Sequence, residues 1–271
     1  PRFRECSFDA AYPLGQVHLE DEDVPVTVSL QAFNPLIPAD SERSGIPAAA
    51  LRYCVTNSSD KNVKVSVCGT IENFIGADGR DYTKDWDGKR LYTGSMDNKN
   101  EFREGAKLSG IYMSSDGVAV DSVGWGTMAL TTFTGVDDEL SYRTAWAKRT
   151  WGGSLLDFWD DFSENGVISE RASEAPFNRM ASLAVKRTLA AGESTEFTYY
   201  LSWHFPNRMT WAPEEKNLRM GSSNNDTNII GNYYTTRYKD AWEAAEYIAE
   251  NHNTLEEDTV AFVDTFCSSD L

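Results

Sequence analysis

Through most of this chain apolar side chains recur at every second position, a period that builds strands and rules out a helical bundle. Val24, Val26, Val28 and Leu30 point one way while Thr27, Ser29 and Gln31 point the other, which describes a half-buried strand. Leu51, Tyr53 and Val55 alternate up to the turn cluster Asn57-Ser58-Ser59-Asp60, and Val63, Val65 and Val67 alternate after it. That pattern predicts a hairpin with a slightly long loop. Residues 126–133 and 140–146 read as two more strands joined through 135–138. The segments 181–189 and 195–203 flank Ala191-Gly-Glu-Ser194 and predict another hairpin. Strands at short intervals, with turn chemistry and no helices between them, mean antiparallel sheets and not βαβ units.

Three stretches interrupt the alternation. Residues 76–104 are rich in Gly, Asp, Lys and Asn and read as a long loop or a hairpin insertion. Residues 151–162 predict a short helix capped by Ser154, with Leu155, Phe158, Trp159 and Phe162 on one face. Residues 207–232 predict an irregular crossing. The tail differs in kind. From Thr236 to about His252, Tyr238, Trp242, Ala245 and Ile248 recur at helical spacing. Thr254-Leu-Glu-Glu257 then has the form of a capping box opening a second helix, whose apolar side is Leu255, Val260, Val263 and Phe266. Between Arg237 and Asp264 stand eight acidic residues and two basic ones, so about a third of the net charge of −17 lies on this tail.

At 271 residues the chain is long for one domain, but single β-sandwiches reach about 200–250 residues. About three quarters of the unfolded surface can be buried at this size, so no disulfide or metal staple is needed. The negative charge repels phosphate backbones and anionic lipid surfaces, which excludes nucleic acid as a partner. A neutral ligand such as a sugar is not excluded, and eight Trp residues favour one. No apolar run of about 18 residues is present, so no transmembrane segment is expected. The chain begins at Pro1 with no charged-then-apolar leader after it, so either a leader has been removed or the chain is trimmed. Cys6, Cys54, Cys68 and Cys267 lack C-x-x-C spacing. Cys54 and Cys68 can face each other across the predicted hairpin, but buried free thiols are the preferred reading. The sequons at Asn57 and Asn225 matter only in a glycosylating, secretory host. The cytoplasm is the favoured compartment.

No residue pattern here describes an active site. A glycosidase needs two carboxylates about 5–5.5 Å or about 6.5–9.5 Å apart. Glu20-Asp21-Glu22-Asp23 reads as a solvated turn, and Asp157, Asp160 and Asp161 read as a solvated helix face. Asp78-Gly-Arg-Asp81 and Asp85-Trp-Asp-Gly88 are acidic turns without the calcium-loop pattern. His18, His204 and His252 are far apart. No G-x-S-x-G, G-x-G-x-x-G or Walker loop occurs, so neither a hydrolytic triad nor a cofactor is expected. The most individual stretch is Trp203-His204-Phe205-Pro206-Asn207-Arg208, which can stack on a sugar but reads better as the anchor of a buried corner or domain interface.

Tyr12-Pro-Leu-Gly15, Phe33-Asn-Pro-Leu-Ile-Pro38, Ser44-Gly-Ile-Pro47 leading into Tyr53-Cys-Val-Thr-Asn57, Leu201-Ser-Trp-His-Phe-Pro206 and Asn232-Tyr-Tyr-Thr-Thr-Arg-Tyr-Lys-Asp240-Ala-Trp together resemble the N-terminal domain of glycoside hydrolase family 116. That family includes microbial β-glucosidases and the animal non-lysosomal glucosylceramidase. The resemblance runs over nearly the whole chain. It implies an N-terminal sandwich, a helical linker and an (α/α)6 barrel that carries the catalytic carboxylates of a retaining β-glycosidase, so no catalytic residue is carried onto this chain.

The reading is therefore a mainly β fold, a large antiparallel β-sandwich (a supersandwich) followed by two C-terminal linker helices. Residues 1–235 are the sandwich and residues 236–271 the linker toward a missing barrel. The expected role is non-catalytic, supporting the C-terminal (α/α)6 catalytic domain of the same polypeptide and shaping access for its β-glycoside substrate. The interface candidates are Trp203, His204, Arg208, Tyr238, Trp242, Ile248, Val263 and Phe266, and an isolated domain would self-associate weakly through this apolar surface. The alternatives are a carbohydrate-binding module using Trp151, Trp159 or Trp203, and a stand-alone sandwich enzyme.

Overall fold

The computed structural model describes residues 2–77, 82–84, 90–92, 97–171, 179–210 and 229–269. The first strands are β1 (Glu5–Ala11), β2 (Leu14–Glu20), β3 (Val26–Phe33), β4 (Ala48–Asn57) and β5 (Val63–Glu72). There follow β6 (Tyr82–Lys84), β7 (Arg90–Tyr92), β8 (Asn98–Glu104), β9 (Ser109–Ser115), β10 (Thr127–Thr132) and β11 (Glu139–Arg143). The last are β12 (Met180–Leu189), β13 (Ser194–His204), β14 (Asn207–Met209) and β15 (Ile229–Gly231). The helices are α1 (Ser41–Ser44), α2 (Gly153–Asn165), α3 (Ala241–Glu250) and α4 (His252–Cys267). Among the described residues no helix is long and apolar enough to cross a membrane.

Eight strands form one antiparallel sheet in the order β1-β2-β3-β4-β13-β10-β9-β8, and a second sheet has the order β11-β12-β5. Between the sheets lies the main core, where Ile111, Met113, Met128, Leu130, Phe197 and Tyr199 meet Leu183, Val185 and Leu189. Each such side chain contributes about 1.5–3 kcal/mol through burial. Helix α2 and the segments on either side of it cover the outer face of the small sheet through Phe158, Trp146 and Ile168, which pack with Ala184. Helices α3 and α4 cover the outer face of the large sheet around Phe33, Ala50 and Tyr200. The chain is thus a mainly β sandwich enclosed by helices on both sides, its two longest C-terminal elements being helical.

The predicted hairpins are not hairpins. β4 pairs with β3 and β13, and β5 with β12, so the turn after Asn57 carries the chain from one sheet to the other. The connection at 190–193 does the same between β12 and β13, and 133–138 between β10 and β11. Alternation and turn residues are common to hairpins and to such arches. The difference is whether two apolar faces lie side by side or fold over a shared core. Asn57 laces two arches together. Its buried side-chain amide donates to the carbonyls of Lys61 (2.7 Å), Leu189 (3.2 Å) and Ala190 (2.9 Å), and its backbone carbonyl accepts from Gly192. That amide is closed to glycosylation in the folded chain, while Asn225 lies outside the described residues. Cys54 and Cys68 stand on different sheets and all four cysteines are free. Burial pushes the Cys68 thiol up to about 11, which keeps it inert.

Two predicted caps are replaced. Ser154 lies inside α2, whose first turn opens at Gly152 in the left-handed conformation (φ 76°), and its hydroxyl accepts from Arg149 N instead. Thr254 lies inside α4, which opens at Asn251, so the predicted capping box does not form. Within 76–104, β6 and β7 pair as a short ribbon, but Asn98–Glu104 is no part of a loop or insertion: it is β8, the edge strand of the large sheet, paired with β9. The acidic turns at 78–81 and 85–88 fall outside the described residues. Within the 207–232 crossing, β14 pairs with β15.

The 133–138 arch is tied to both sheets by one ion pair. Asp138 accepts from Arg187 Nε (2.5 Å) and Nη2 (2.6 Å), and the same guanidinium donates to Glu196 O and lies 4.7 Å from the Phe197 ring centroid. The Arg187 hydrogen bond holds the Asp138 carboxyl below the usual carboxylate range. Because the folded pKa is the lower one, this stabilisation is present above about pH 4 and is lost as pH falls through the folded value. Asp138→Asn is expected to lower stability at pH 7, with the gap to the parent chain closing toward pH 2. Urea titrations at pH 7, 4 and 2.5 read this directly, and a gap independent of pH would contradict it.

Candidate domain interface

Strand β13 alternates Thr198, Tyr200, Ser202 and His204 on its outer side, against which α3 lies. Helix α3 approaches closely because it presents alanines: Ala241, Ala244, Ala245 and Ala249 are all buried. Asp240 caps it, its side chain accepting from Glu243 N (2.9 Å), an arrangement typical of an N-cap carboxylate. The contact is also hydrogen-bonded. Ser202 Oγ donates to Ala241 O (2.7 Å), Ala241 N donates to Thr127 Oγ1 (2.9 Å), and His204 Nε2 donates to Tyr238 O (2.8 Å). Just before α3, Tyr234 OH and Asn232 Nδ2 both donate to Phe205 O (2.9 and 2.8 Å), fixing the corner after β13.

Helix α4 is fastened along its length. Leu36 N donates to Thr259 Oγ1 (3.1 Å), Arg43 pairs with Asp258, and Arg52 grips both oxygens of Glu256 (2.6 and 2.8 Å). Tyr200 OH lies 3.0 Å from His252 Nδ1. Burial raises the pKa of Tyr200 and lowers that of His252, which favours a protonated phenol beside a neutral imidazole.

The interface candidates divide. His204, Tyr238, Trp242 and Ile248 come together between β13 and α3, all buried, and Val263 is buried on α4. Trp203 alternates to the other side of β13 and packs against the inter-sheet core. Arg208 is exposed on β14, and Phe266 is 72% exposed at the end of α4. The helical faces therefore turn mostly toward the sandwich itself, and the exposed apolar surface of α4 is centred on Phe266 and its neighbour Phe262, 6.0 Å away.

The acidic residues of α2 overturn their solvated reading. Arg143, fully buried on β11, donates to Asp157 (3.0 Å), Asp161 (2.6 Å) and Ser169 O (2.8 Å). Arg171 lies 3.6 Å from both carboxylates and Arg149 3.3 Å from Asp157. Asp160 alone of the three is solvated. The i, i+4 spacing of Asp157 and Asp161, in step with Phe158 and Phe162, was the legible signal that they share the buried side. Chemically the cluster sets two adjacent carboxylates against three guanidiniums, an arrangement that holds a helix in place. By contrast Glu20, Glu22 and Asp23 do lie exposed at a turn, Asp21 being half-buried there. Among the described residues no group of three His, Cys, Asp or Glu side chains can hold a metal ion.

The family model described as beta-glucosidase 2, glycosyl-hydrolase family 116 N-term, matches residues 2–255. No curated protein sequence matches the chain. Among solved structures the chain is similar to a putative kojibiose phosphorylase from human microbiome, at 11% identity and a TM-score of 0.37. That similarity covers 73% of this chain and 19% of the other.

Proposed function

The chain belongs to the family of glycosyl-hydrolase family 116 N-terminal domains, and on that premise we propose that it is a non-catalytic sandwich that supports the catalytic domain of a retaining β-glycosidase. In this reading residues 1–235 form the supporting body and 236–271 the helical link to an (α/α)6 barrel of the same polypeptide. The β-glycoside is cleaved in that barrel, through a glycosyl-enzyme intermediate formed on its own carboxylates. The observation that carries the reading is the family match together with the state of the α2 carboxylates, which are engaged by Arg143, Arg149 and Arg171 and so are not available as an acid and a nucleophile. The tightly fastened α3 and α4 support a rigid link that fixes where a following domain sits.

The chain, purified free of host glycosidases, is expected to release no 4-nitrophenol from 4-nitrophenyl β-glucoside. Turnover that persists through purification and disappears with unfolding would place the active site here and overturn the proposal.

A second reading, glycan binding through surface tryptophans, is favoured by one observation. Trp151 is 89% exposed with φ 55°, in a conformation unusual for a bulky residue, and Trp159 on α2 is also exposed. Under the supporting role, titration with cellobiose leaves Trp fluorescence unchanged. A saturable change abolished by Trp151→Ala would favour the binding module.

A further inference from the structure

A groove of about 450 Å³ runs along the outer face of the large sheet, between strands β1 to β3 and helix α4. Its size falls within the ~300–1,000 Å³ of small-ligand sites. Its lining has two characters. Ala11, Leu14, Phe33 and Val260 supply an apolar side, and Asp9, Gln16, Gln31, Arg52 and Glu256 supply planar polar groups.

The polar groups are pre-organised, one guanidinium, Arg52, standing among two carboxylates, Asp9 and Glu256. Arg52 Nε donates to Gln31 Oε1 (3.0 Å), and its Nη1 and Nη2 donate to the two oxygens of Glu256. Asp9 lies 3.3 Å from His18. The Gln31 amide N–H donors have no partner among the described residues, and Glu256 keeps spare lone pairs beside them. The side chain of Gln16 has no hydrogen-bond partner among the described residues. With Arg52 neutralised and the chain at −17, the groove does not favour an anion. With Glu256 committed to Arg52, the one remaining carboxylate is Asp9, 75% exposed and beside His18, and a single solvated carboxylate does not make a cation site either.

We propose that this groove binds a neutral, polyhydroxylated ring, a glycosyl unit or similar polyol. Adjacent ring hydroxyls donate to Glu256 and accept from the Gln31 amide, Gln16 reaches a further hydroxyl, and the C–H face of the ring lies against Leu14, Phe33 and Val260. The site depends on the groove alone and not on the family's activity, and it is separate from Trp151 and Trp159, neither of which lines it.

Isothermal titration of the full chain with methyl β-glucoside, cellobiose and inorganic phosphate tests it. Saturable binding of a neutral sugar is expected, weakened about tenfold in Gln16→Ala/Gln31→Ala through the loss of neutral hydrogen bonds. Ala11→Trp, which fills the groove, is expected to abolish it, with circular dichroism verifying that both variants fold. No saturable binding of either sugar at tens of millimolar, phosphate binding tighter than sugar, or sugar binding untouched by both variants but lost in Trp151→Ala would each overturn the proposal. Hydrolytic turnover would leave this result unaffected, so the two readings fail separately.

Discussion

Arg143→Met is expected to destabilise the fold by about 3–5 kcal/mol, the cost of leaving buried charges without their counterion. The guanidinium is fully buried and is the main link between β11, the Asp157 and Asp161 carboxylates of α2 and the backbone of Ser169. Methionine fills much of the volume but leaves two carboxylates facing each other on an apolar floor of Phe158 and Ile168. Thermal unfolding is expected to shift down by about 6–20 °C on the scale for domains of this size. The triple change Arg143→Met/Asp157→Asn/Asp161→Asn is expected to recover most of the loss, since the unpaired charges are gone. A single variant that melts with the parent chain would show that Arg149 and Arg171 suffice to hold α2.

Truncation after residue 235 is expected to have the larger effect. It strips α3 and α4 from Phe33, Ala48, Ala50, Leu108 and Tyr200, removes the carbonyl partners of Ser202 and His204, and takes the Glu256 carboxylate from Arg52. Trp242, Ile248, Leu255 and Val263 are each buried. At about 1.5–3 kcal/mol apiece their loss is comparable to the about 5–15 kcal/mol that holds a whole domain together. The 1–235 fragment is expected to aggregate or to lack a cooperative transition and near-ultraviolet circular dichroism. A soluble fragment melting within a few degrees of the full chain would mean that the helices are only a tether. The proposed boundary at 235 is thus one of role, a linker after a body, while the stability of the body extends into the linker.

How far the candidate interface was legible can be followed residue by residue. The 3.6 period marked Tyr238, Trp242 and Ile248 as one apolar stripe, and they share one buried face. Phe266 ends the second helix's stripe of Leu255, Val260 and Val263 and stands in solvent, because periodicity identifies a face but not the length over which a partner covers it. Trp203 and His204 are adjacent, so a strand must send them to opposite sides, one into the inter-sheet core and the other to α3. The groove over β1 to β3 has no local signature at all. Asp9, Gln16, Gln31, Arg52 and Glu256 are ordinary surface residues until four separate strands and a helix bring them together.

Alternation and turn chemistry determined β3, β4, β5, β10, β11, β12 and β13 and the antiparallel class, and the 3.6 period determined the two C-terminal helices, since each follows from steric and hydrophobic preferences acting over a few residues. β1, β2, β8 and β9, half of the large sheet, were not read from the sequence. The distribution of strands between sheets was decided only in three dimensions. At 58–62, 133–138 and 190–193 the same local signals serve a hairpin or an arch, and the choice falls to whichever places Val55, Leu183 and Phe197 in one shared core. Charge followed the same rule. The sequence determined that α2 carries Asp157 and Asp161, but only the fold, by burying Arg143 beneath them, turned a solvated acidic face into an internal ion-pair cluster.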